Sequence, residues 1–284
     1  MLVFDNKQLL ASHIDSISDS ETSIGFVPTM GALHQGHLSL IEQSLKNNTI
    51  NVVSIFVNPT QFNNLEDLKK YPRNLDSDLD KIKSVSENII IYAPTVYDIY
   101  EGNTVCEHFD YDGLENQMEG KFRPGHFNGV GTIVKRLFEI VKPNNAYFGE
   151  KDFQQLQIVR KMVQKQHLNV NVVCCPIYRE KNGLAMSSRN ERLSQTEREK
   201  AKIIYESLCT TKEMFQVTRY SLAEIKEKIS EIFLKSGGFE LEYFEIADEE
   251  TLKPVIKLDK TKNLRAFVAV LVNNIRLIDT ISLK

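Results

Sequence analysis

The sequence lacks the features of a membrane-spanning or exported protein. No run of about 18 consecutive apolar residues occurs in the chain, so no transmembrane helix is predicted. The first twenty residues, MLVFDNKQLLASHIDSISDS, carry acids where a signal peptide would need a basic flank and an apolar run. We therefore expect a cytoplasmic protein with no membrane partner.

The sequence also lacks an excess of positive charge. Its 35 Lys and Arg residues are outnumbered by 38 Asp and Glu residues, for a formal net charge of -3. No long run of one sign occurs, so the chain offers no basic field to a nucleic-acid backbone. We expect no nucleic-acid partner.

Cysteine is scarce, and its spacing excludes two kinds of site. Two of the four cysteines are adjacent and none forms a C-x-x-C pair, which suits neither a structural zinc site nor a disulfide framework. We interpret them as reduced core residues: Cys106, Cys174, Cys175 and Cys209.

What the sequence does contain is enough apolar material for a large core. Of 284 residues, 42% are hydrophobic and 26% are charged, which excludes an intrinsically disordered chain. Apolar runs typical of buried strands lie at 23–29, 50–57, 88–94, 145–149 and 170–178, with helical spacing between them. This alternation predicts an α/β, Rossmann-like domain over 1–183, with a parallel sheet and helices on both faces.

The pattern changes after residue 184. Segments 193–215 and 221–237 have the spacing of amphipathic helices, and 239–248 and 265–283 resemble strands of an antiparallel sheet. We therefore predict a second, smaller α+β domain over 184–284, which could act as a lid over a second substrate.

The segment PTMGALHQGH at 28–37 is the strongest indication of chemistry. It lies between a predicted strand and a predicted helix, where ligands of parallel α/β sheets bind. His34 and His37 can both face a phosphate at the helix N-terminus, while Gly31 and Gly36 leave the backbone bare. A lone histidine here would usually cap a turn, but the H-x-G-H pair favours phosphate contact.

Two other phosphate-binding motifs are absent. The chain contains neither the P-loop pattern G-x-x-x-x-G-K-S/T nor the dinucleotide pattern G-x-G-x-x-G. The H-x-G-H segment resembles the nucleotidyltransferase superfamily instead, whose second signature is a late loop with hydroxyls and a cation. Met186-Ser187-Ser188-Arg189-Asn190 has that composition, and its donors could hold a triphosphate as pyrophosphate leaves.

Further segments resemble one family within that superfamily, the pantothenate synthetases. They occur in the family's order and spacing: FVNPTQF at 56–62, YPR at 71–73, RPGHFNGV at 123–130, YFGEKDFQQL at 147–156 and YREKNGLAMSSRN at 178–190. The resemblance implies ATP-dependent condensation of (R)-pantoate with β-alanine through pantoyl adenylate, which releases AMP and diphosphate. It also implies a homodimer.

The resemblance assigns residues to this reaction. It implies catalytic roles on the phosphates for His34, His37, Lys151, Ser187, Ser188 and Arg189. It implies ATP contacts for the same residues and for Met30, Gly31, Ala32, Leu33, Gly36, Gly149, Glu150, Asp152, Tyr178 and Met186. Asp152 could equally cap the helix that follows it.

The small substrates are expected at polar residues in apolar surroundings. The resemblance places pantoate between Gln61 and Gln155, whose uncharged amides can bind hydroxyls and a carboxylate. Tyr71 is expected on the β-alanine side. Arg123 and His126 could either face substrate or support a loop and a dimer contact, and the sequence does not separate these alternatives.

Magnesium is expected with ATP, bound through phosphates and one or two carboxylates. The resemblance implies several acids in the segment YPRNLDSDLDKI, but position 77 is Ser, which leaves Asp76 and Asp78; of these two, Asp78 is the candidate ligand. An acid in the first turn of a helix is equally explained by the helix dipole.

Two other functions share parts of this pattern. An adenylyltransferase that stops at a nucleotide product would also carry H-x-G-H, but it would not need the pair Gln61 and Gln155. A nucleotide-sensing module without catalysis would not need the full phosphate-contacting set. Release of AMP together with pantothenate distinguishes the ligase from both alternatives.

Overall fold

The computed structural model describes residues 1–62, 65–217 and 219–284, with only the backbone described at positions 65 and 67. Two compact units are present. The first comprises Met1–Glu115, Glu119–Gly149 and Gln155–Pro176. The second comprises Asn116–Met118, Glu150–Gln154 and Ile177–Lys284.

The first unit alternates strands and helices along the chain. Its strands are β1 (Leu2–Phe4), β2 (Ile24–Thr29), β3 (Ile50–Ile55), β4 (Ile90–Tyr92), β5 (Asn145–Gly149) and β6 (Asn171–Cys175). Its helices are α1 (Lys7–Ile17), α2 (Gln35–Asn47), α3 (Leu65–Lys70), α4 (Leu75–Lys83), α5 (Val96–Tyr100), α6 (Met118–Phe122), α7 (His126–Val141) and α8 (Phe153–Lys165), of which α6 and α8 begin in segments of the second unit.

The strands form a six-stranded parallel sheet in the order β1-β4-β3-β2-β5-β6. The chain winds outward from β2 through β3 to β4 and then returns to the other side of β2 with β5. Ligands of such sheets bind beyond the carboxyl ends of the strands where the winding reverses. The loops that follow β2, β3 and β5 all leave from this edge.

Helices cover both faces of the sheet because adjacent strand residues point in opposite directions. On β2, Val27 belongs to a buried cluster with Leu38 of α2 and Ile82 of α4. Its neighbour Phe26 packs on the other face, where its ring lies 6.2 Å from that of Phe138 of α7. The predicted α/β fold with a parallel sheet is confirmed.

The second unit contains α9 (Gln195–Lys200), α10 (Lys202–Gln216), α11 (Leu222–Ser236), β7 (Glu240–Asp248), β8 (Leu264–Val272) and β9 (Ile275–Ser282). The three strands form an antiparallel sheet in chain order. Residues from α10 and α11, among them Ile204, Leu208 and Ile229, form its core with Val268 and Val270 of β8. The predicted smaller α+β unit is confirmed.

The ends of these elements follow ordinary capping and turn rules. Ser221 and Glu224 form a capping box at α11, in which each side chain meets the other residue's backbone N–H. Asn273 and Asn274 both have positive φ, as a two-residue hairpin turn requires, and they join β8 to β9.

All four cysteines are free. Cys175 is buried, and burial raises the pKa of its thiol to about 11. The other three are half-buried, so the core prediction holds fully only for Cys175. Among the described residues, no helix combines the length and the apolar character needed to span a bilayer.

Candidate functional site

The H-x-G-H segment is a tight loop between β2 and α2. Gly31 and Ala32 both have positive φ, at 77° and 50°, which turns the chain sharply after the strand. A Cβ on Gly31 would lie 3.0 Å from the Asp78 carboxylate, so this position requires glycine for space as well as for φ. The loop therefore brings His34 to the N-cap of α2 and His37 to its first turn.

The two imidazole rings are stacked, with centroids 4.0 Å apart and an interplanar angle of 29°. The backbone N–H of His34 donates to Nδ1 of His37 at 3.3 Å. Because Nδ1 accepts this bond, the proton of the neutral ring is assigned to Nε2. His37 can therefore present an Nε2–H donor to an anion at the start of the helix.

Asp78 of α4 holds this loop. Its side chain is 2% exposed and accepts hydrogen bonds from Ala32 N at 2.9 Å and from Leu33 N at 2.7 Å. Lys81, one turn later, donates from Nζ to Leu33 O at 2.8 Å. Helix α4 thus binds the loop through a donor and an acceptor, which sequence reasoning did not anticipate.

This geometry does not fit the magnesium role predicted for Asp78. Both carboxylate oxygens already accept backbone donors, and the carboxylate is buried beneath the loop. Over the chain as described, with its gaps at 63–64 and 218, no group of three or more His, Cys, Asp or Glu side chains could hold a metal ion. The structure instead makes Asp78 a positioning residue for the H-x-G-H loop.

Asp78→Asn should destabilise the fold and slow the reaction. An amide has only one acceptor oxygen, so either Ala32 N or Leu33 N would face an NH2 group. Leaving one buried donor unsatisfied costs about 1–3 kcal/mol. Denaturant unfolding checks the loss of stability. Asp76→Asn, an exposed position in the same helical turn, is the control and should change little; equal losses for both variants would contradict the role of Asp78.

Gln61 follows β3 in a short 3-10 turn, Pro59–Gln61. Its side-chain Oε1 accepts from Asn58 Nδ2 at 3.2 Å, and Asn58 Oδ1 accepts from the hydroxyl of Tyr100 at 2.6 Å. Burial raises the pKa of Tyr100, which keeps this hydroxyl protonated as the donor. The chain of bonds orients the Gln61 amide so that Nε2 is its donor end, and Nε2 donates to Met30 Sδ at 2.9 Å.

Asn58 was missed as a site residue by sequence reasoning. It is 1% exposed, and Nδ2 also donates to Gly129 O of α7 at 3.2 Å. The available signal was a polar residue within the apolar run that ends at Pro59, the same signal that identified Gln61.

Arg123 and His126 support the turn that carries Gln61. His126 Nδ1 lies 2.8 Å from the backbone oxygen of Gln61, and Arg123 donates to the same oxygen at 3.3 Å. A Cβ on Gly129 would lie 2.4 Å from Thr60 O, so α7 packs directly against the turn. Of the two alternatives left open by the sequence, these contacts favour loop support.

Tyr71 and Gln155 lie in the same unit. The Tyr71 ring meets the Phe62 ring edge-on, with centroids 5.7 Å apart. Gln155 is half-buried in the first turn of α8 and follows β5, whereas Gln61 follows β3. Both strands flank β2, so the two glutamines leave the same edge of the sheet. The binding of pantoate between them stays a prediction.

Lys151 lies in the second unit, in the 3-10 turn Glu150–Asp152. Its side chain is 17% exposed, and Nζ is 3.9 Å from an oxygen of Asp152. The carboxylate of Glu150 pairs with Arg265 of β8 at 2.5 Å. Glu150 was predicted to contact the nucleotide, but the structure shows its carboxylate engaged by this arginine.

The predicted serine and arginine loop is also well held in this unit. Met186 N donates to Tyr178 O at 3.0 Å, which closes a narrow hairpin ahead of the loop. Ser187 accepts from Arg189 N at 3.3 Å and begins the 3-10 turn Ser188–Arg192. Buried Asn190 ties the turn back by donating to Ala185 O at 3.1 Å.

Further contacts brace the hairpin. Glu180 binds Arg198 through two hydrogen bonds of 2.8 and 2.9 Å. Arg179 makes a similar fork to Asp279 of β9, at 2.6 and 3.0 Å, and lies over the Tyr205 ring. Ser187, Ser188 and Arg189 are half-buried on this braced support, which suits groups that must meet a polyanion without reorganising.

Comparison with known proteins identifies the family of this chain. The family model for pantoate-beta-alanine ligase matches residues 2–282. The chain is 60% identical over 284 residues to the pantothenate synthetase of Flavobacterium psychrophilum, with both chains covered completely. It is 51% identical to that of Christiangramia forsetii, covering 100% of this chain and 99% of the relative.

Solved structures are similar over the whole chain as well. Pantothenate synthetase from Thermus thermophilus superposes with a TM-score of 0.91 at 39% identity, covering 100% of this chain and 99% of that one. A pantoate-beta-alanine ligase from Francisella tularensis, complexed with beta-gamma ATP and beta-alanine, gives a TM-score of 0.81 at 37% identity, covering 100% and 98%. This chain belongs to the pantoate-beta-alanine ligase family.

Proposed function

We propose that this ligase uses ATP to join (R)-pantoate to β-alanine through a pantoyl adenylate, with AMP and diphosphate as the other products. The observation that carries the proposal is the H-x-G-H loop, in which Asp78 holds the backbone and the His34 N–H donates to Nδ1 of His37, which assigns the ring proton to Nε2. The Francisella relative complexed with beta-gamma ATP and beta-alanine supports both substrates.

In the first step a pantoate carboxylate oxygen attacks the α-phosphorus of ATP, and the bond to the leaving diphosphate breaks. Negative charge accumulates on the phosphates, so the step needs donors rather than a strong base. We assign this role to His34, His37, Lys151, Ser187, Ser188 and Arg189.

The remaining nucleotide contacts are assigned to residues of the same loops. The backbone around Gly31 and Gly36 and at Gly149 allows close approach, because glycine has no side chain to interfere. The proposed contacts are Met30, Gly31, Ala32, Leu33, Gly36, Gly149, Asp152, Tyr178 and Met186. For Glu150 we propose contact through the backbone, since its carboxylate binds Arg265.

In the second step the β-alanine amine attacks the pantoyl carbonyl carbon, AMP leaves with the electron pair of the broken C–O bond, and the new amide nitrogen gives up a proton to solvent. We propose that Gln61 and Gln155 bind pantoate and that Tyr71 lines the β-alanine side. The orientation of the Gln61 amide supports this assignment, because Oε1 is engaged by Asn58 and the donor Nε2 matches a hydroxyl or carboxylate oxygen.

Magnesium, the homodimer and the cytoplasmic location belong to the proposal as well. The described side chains do not fit a protein-built magnesium site, since both oxygens of Asp78 are engaged. In this proposal the phosphates of ATP and water hold the ion, and no step of the chain's own chemistry depends on it.

The test is to incubate the protein with ATP, pantoate and β-alanine and to quantify the products. AMP and pantothenate should appear in equal amounts. With pantoate alone, positional isotope exchange in labelled ATP should occur, because the adenylate forms before the amine is needed. Product formation without AMP would contradict the ligase, and the absence of exchange would contradict a separate adenylate step.

A further inference from the structure

A buried arginine lies beside the turn that carries Lys151. Arg265 begins the apolar run RAFVAV of β8, and its side chain is only 4% exposed. Its Nη2 lies 2.5 Å from Glu150 Oε1, and its Nε lies 3.0 Å from Glu249 Oε1. Its guanidinium also stacks on the Phe153 ring, with the central carbon 4.0 Å from the centroid. The Arg265 side chain therefore contacts Glu150, which precedes Lys151 in the chain, and Phe153, which follows it.

We propose that Arg265 is a positioning residue for Lys151: it anchors the Glu150–Phe153 segment and keeps the Glu150 carboxylate away from the lysine ammonium. This inference rests on the proposed function, in which Lys151 binds the phosphates of ATP.

The charges around Lys151 explain why such a residue is needed. Glu150 and Asp152 flank it in the chain, and Asp152 lies 3.9 Å from Nζ. Asp279 also interacts electrostatically with Lys151: burial raises the pKa of this aspartate, and Arg179 and the Lys151 ammonium oppose that rise. The positive charge of a lysine among three carboxylates would be compensated by them, and little of it would remain to attract phosphates. This does not happen if some of the carboxylates have other cationic partners.

Two arginines supply those partners. Arg179 binds Asp279 through two hydrogen bonds, and Arg265 binds Glu150. A buried guanidinium suits this task because it stays charged and its planar fork can serve two carboxylates at fixed angles. Removing it leaves Glu150 without its cation, one residue from Lys151, where it would compete with the phosphates of ATP.

A double-mutant cycle with Arg265→Met and Glu150→Gln tests the inference. Arg265→Met alone should raise KM for ATP about tenfold, which corresponds to about 1.4 kcal/mol of lost binding. In the Glu150→Gln background, the same substitution should raise KM by less than about threefold, because position 150, next to Lys151, then carries no carboxylate. KM for pantoate should stay within about twofold in both backgrounds.

Arg276→Met is the matched control. Arg276 pairs with Glu242 at 2.6 Å on the same antiparallel sheet, with both side chains about one fifth exposed, at 22% and 20%. Its loss should lower stability but leave KM for ATP unchanged. The inference is overturned if Arg265→Met and Arg276→Met change KM for ATP to the same extent. It is also overturned if Glu150→Gln does not reduce the rise in KM for ATP that Arg265→Met causes.

A milder variant keeps the test decisive if Arg265→Met does not fold. Arg265→Lys retains the charge but lacks the fork, so its KM for ATP should rise less and should again be lowered by Glu150→Gln. An elevated KM that Glu150→Gln leaves unchanged would overturn the inference. Wild-type release of AMP, measured in the same assay, separates a failure of this inference from a failure of the proposed ligase activity.

Discussion

His37→Ala should lower kcat/KM for adenylate formation about a hundredfold to a thousandfold, the loss typical for one donor that stabilises developing charge. The ring is held in a stacked pair with His34, and its Nδ1 accepts the His34 backbone N–H. It therefore costs little to present the Nε2–H donor at the moment of reaction. Rates of diphosphate release with saturating pantoate provide the measurement.

The control for this variant is His13→Ala. His13 is half-buried on α1, where its ring lies 5.2 Å from that of Phe4. Its loss removes an imidazole without touching the H-x-G-H loop, so turnover should be unchanged. A His37→Ala enzyme that turns over at the wild-type rate would remove the central support for the proposed function and would revive a nucleotide-sensing role without catalysis.

Lys151→Met should reduce kcat/KM about a thousandfold, since a full positive charge on the transferring phosphates is lost. The side chain is only 17% exposed and lies in a turn anchored through Glu150, so water and neighbouring residues cannot easily replace the ammonium. Methionine keeps the apolar stem and removes the charge. Positional isotope exchange with pantoate alone measures the effect on the first step, without interference from the amine.

Lys161→Met on α8 is the matched control. Lys161 forms a partly exposed ion pair with Asp112 at 3.0 Å, with side-chain exposures of 27% and 53%, and surface pairs contribute little to stability. Its removal takes away one lysine of the same helical region without affecting the Glu150–Asp152 turn. If Lys151→Met exchanged isotope as fast as this control, the assignment of Lys151 to the phosphates would be wrong.

The local spacing of apolar residues was sufficient to predict the main helices and strands of the fold. The apolar run at 145–149 is β5 to the residue, and the helix predicted over 221–237 is α11 at Leu222–Ser236. The helix predicted over 193–215 is divided into α9 and α10 at Ala201, a break that amphipathic spacing does not reveal. Strand β1 and helix α1 were not predicted; β1 has only three residues and depends on pairing with β4.

The location of the site loops also followed from the sequence. Carboxyl ends of parallel strands share one edge, so any motif directly after β2, β3 or β5 had to lie there. The partners of these loops could not be predicted in the same way. Asp78 is 46 residues from Ala32, and Arg265 is 115 residues from Glu150. A single sequence does not indicate which distant carboxylate meets which backbone donor or guanidinium.

By itself, the sequence determined the fold class, the family and the identity of the chemical groups, because motifs and periodicity are local along the chain. Only the tertiary structure decided which partners those groups have: both oxygens of Asp78 accept backbone N–H groups of the H-x-G-H loop, and the carboxylate of Glu150 binds Arg265. The physical reason is that the role of a carboxylate depends on which hydrogen-bond donors and cations lie next to it in the folded chain. Folding brings those donors from remote parts of the chain.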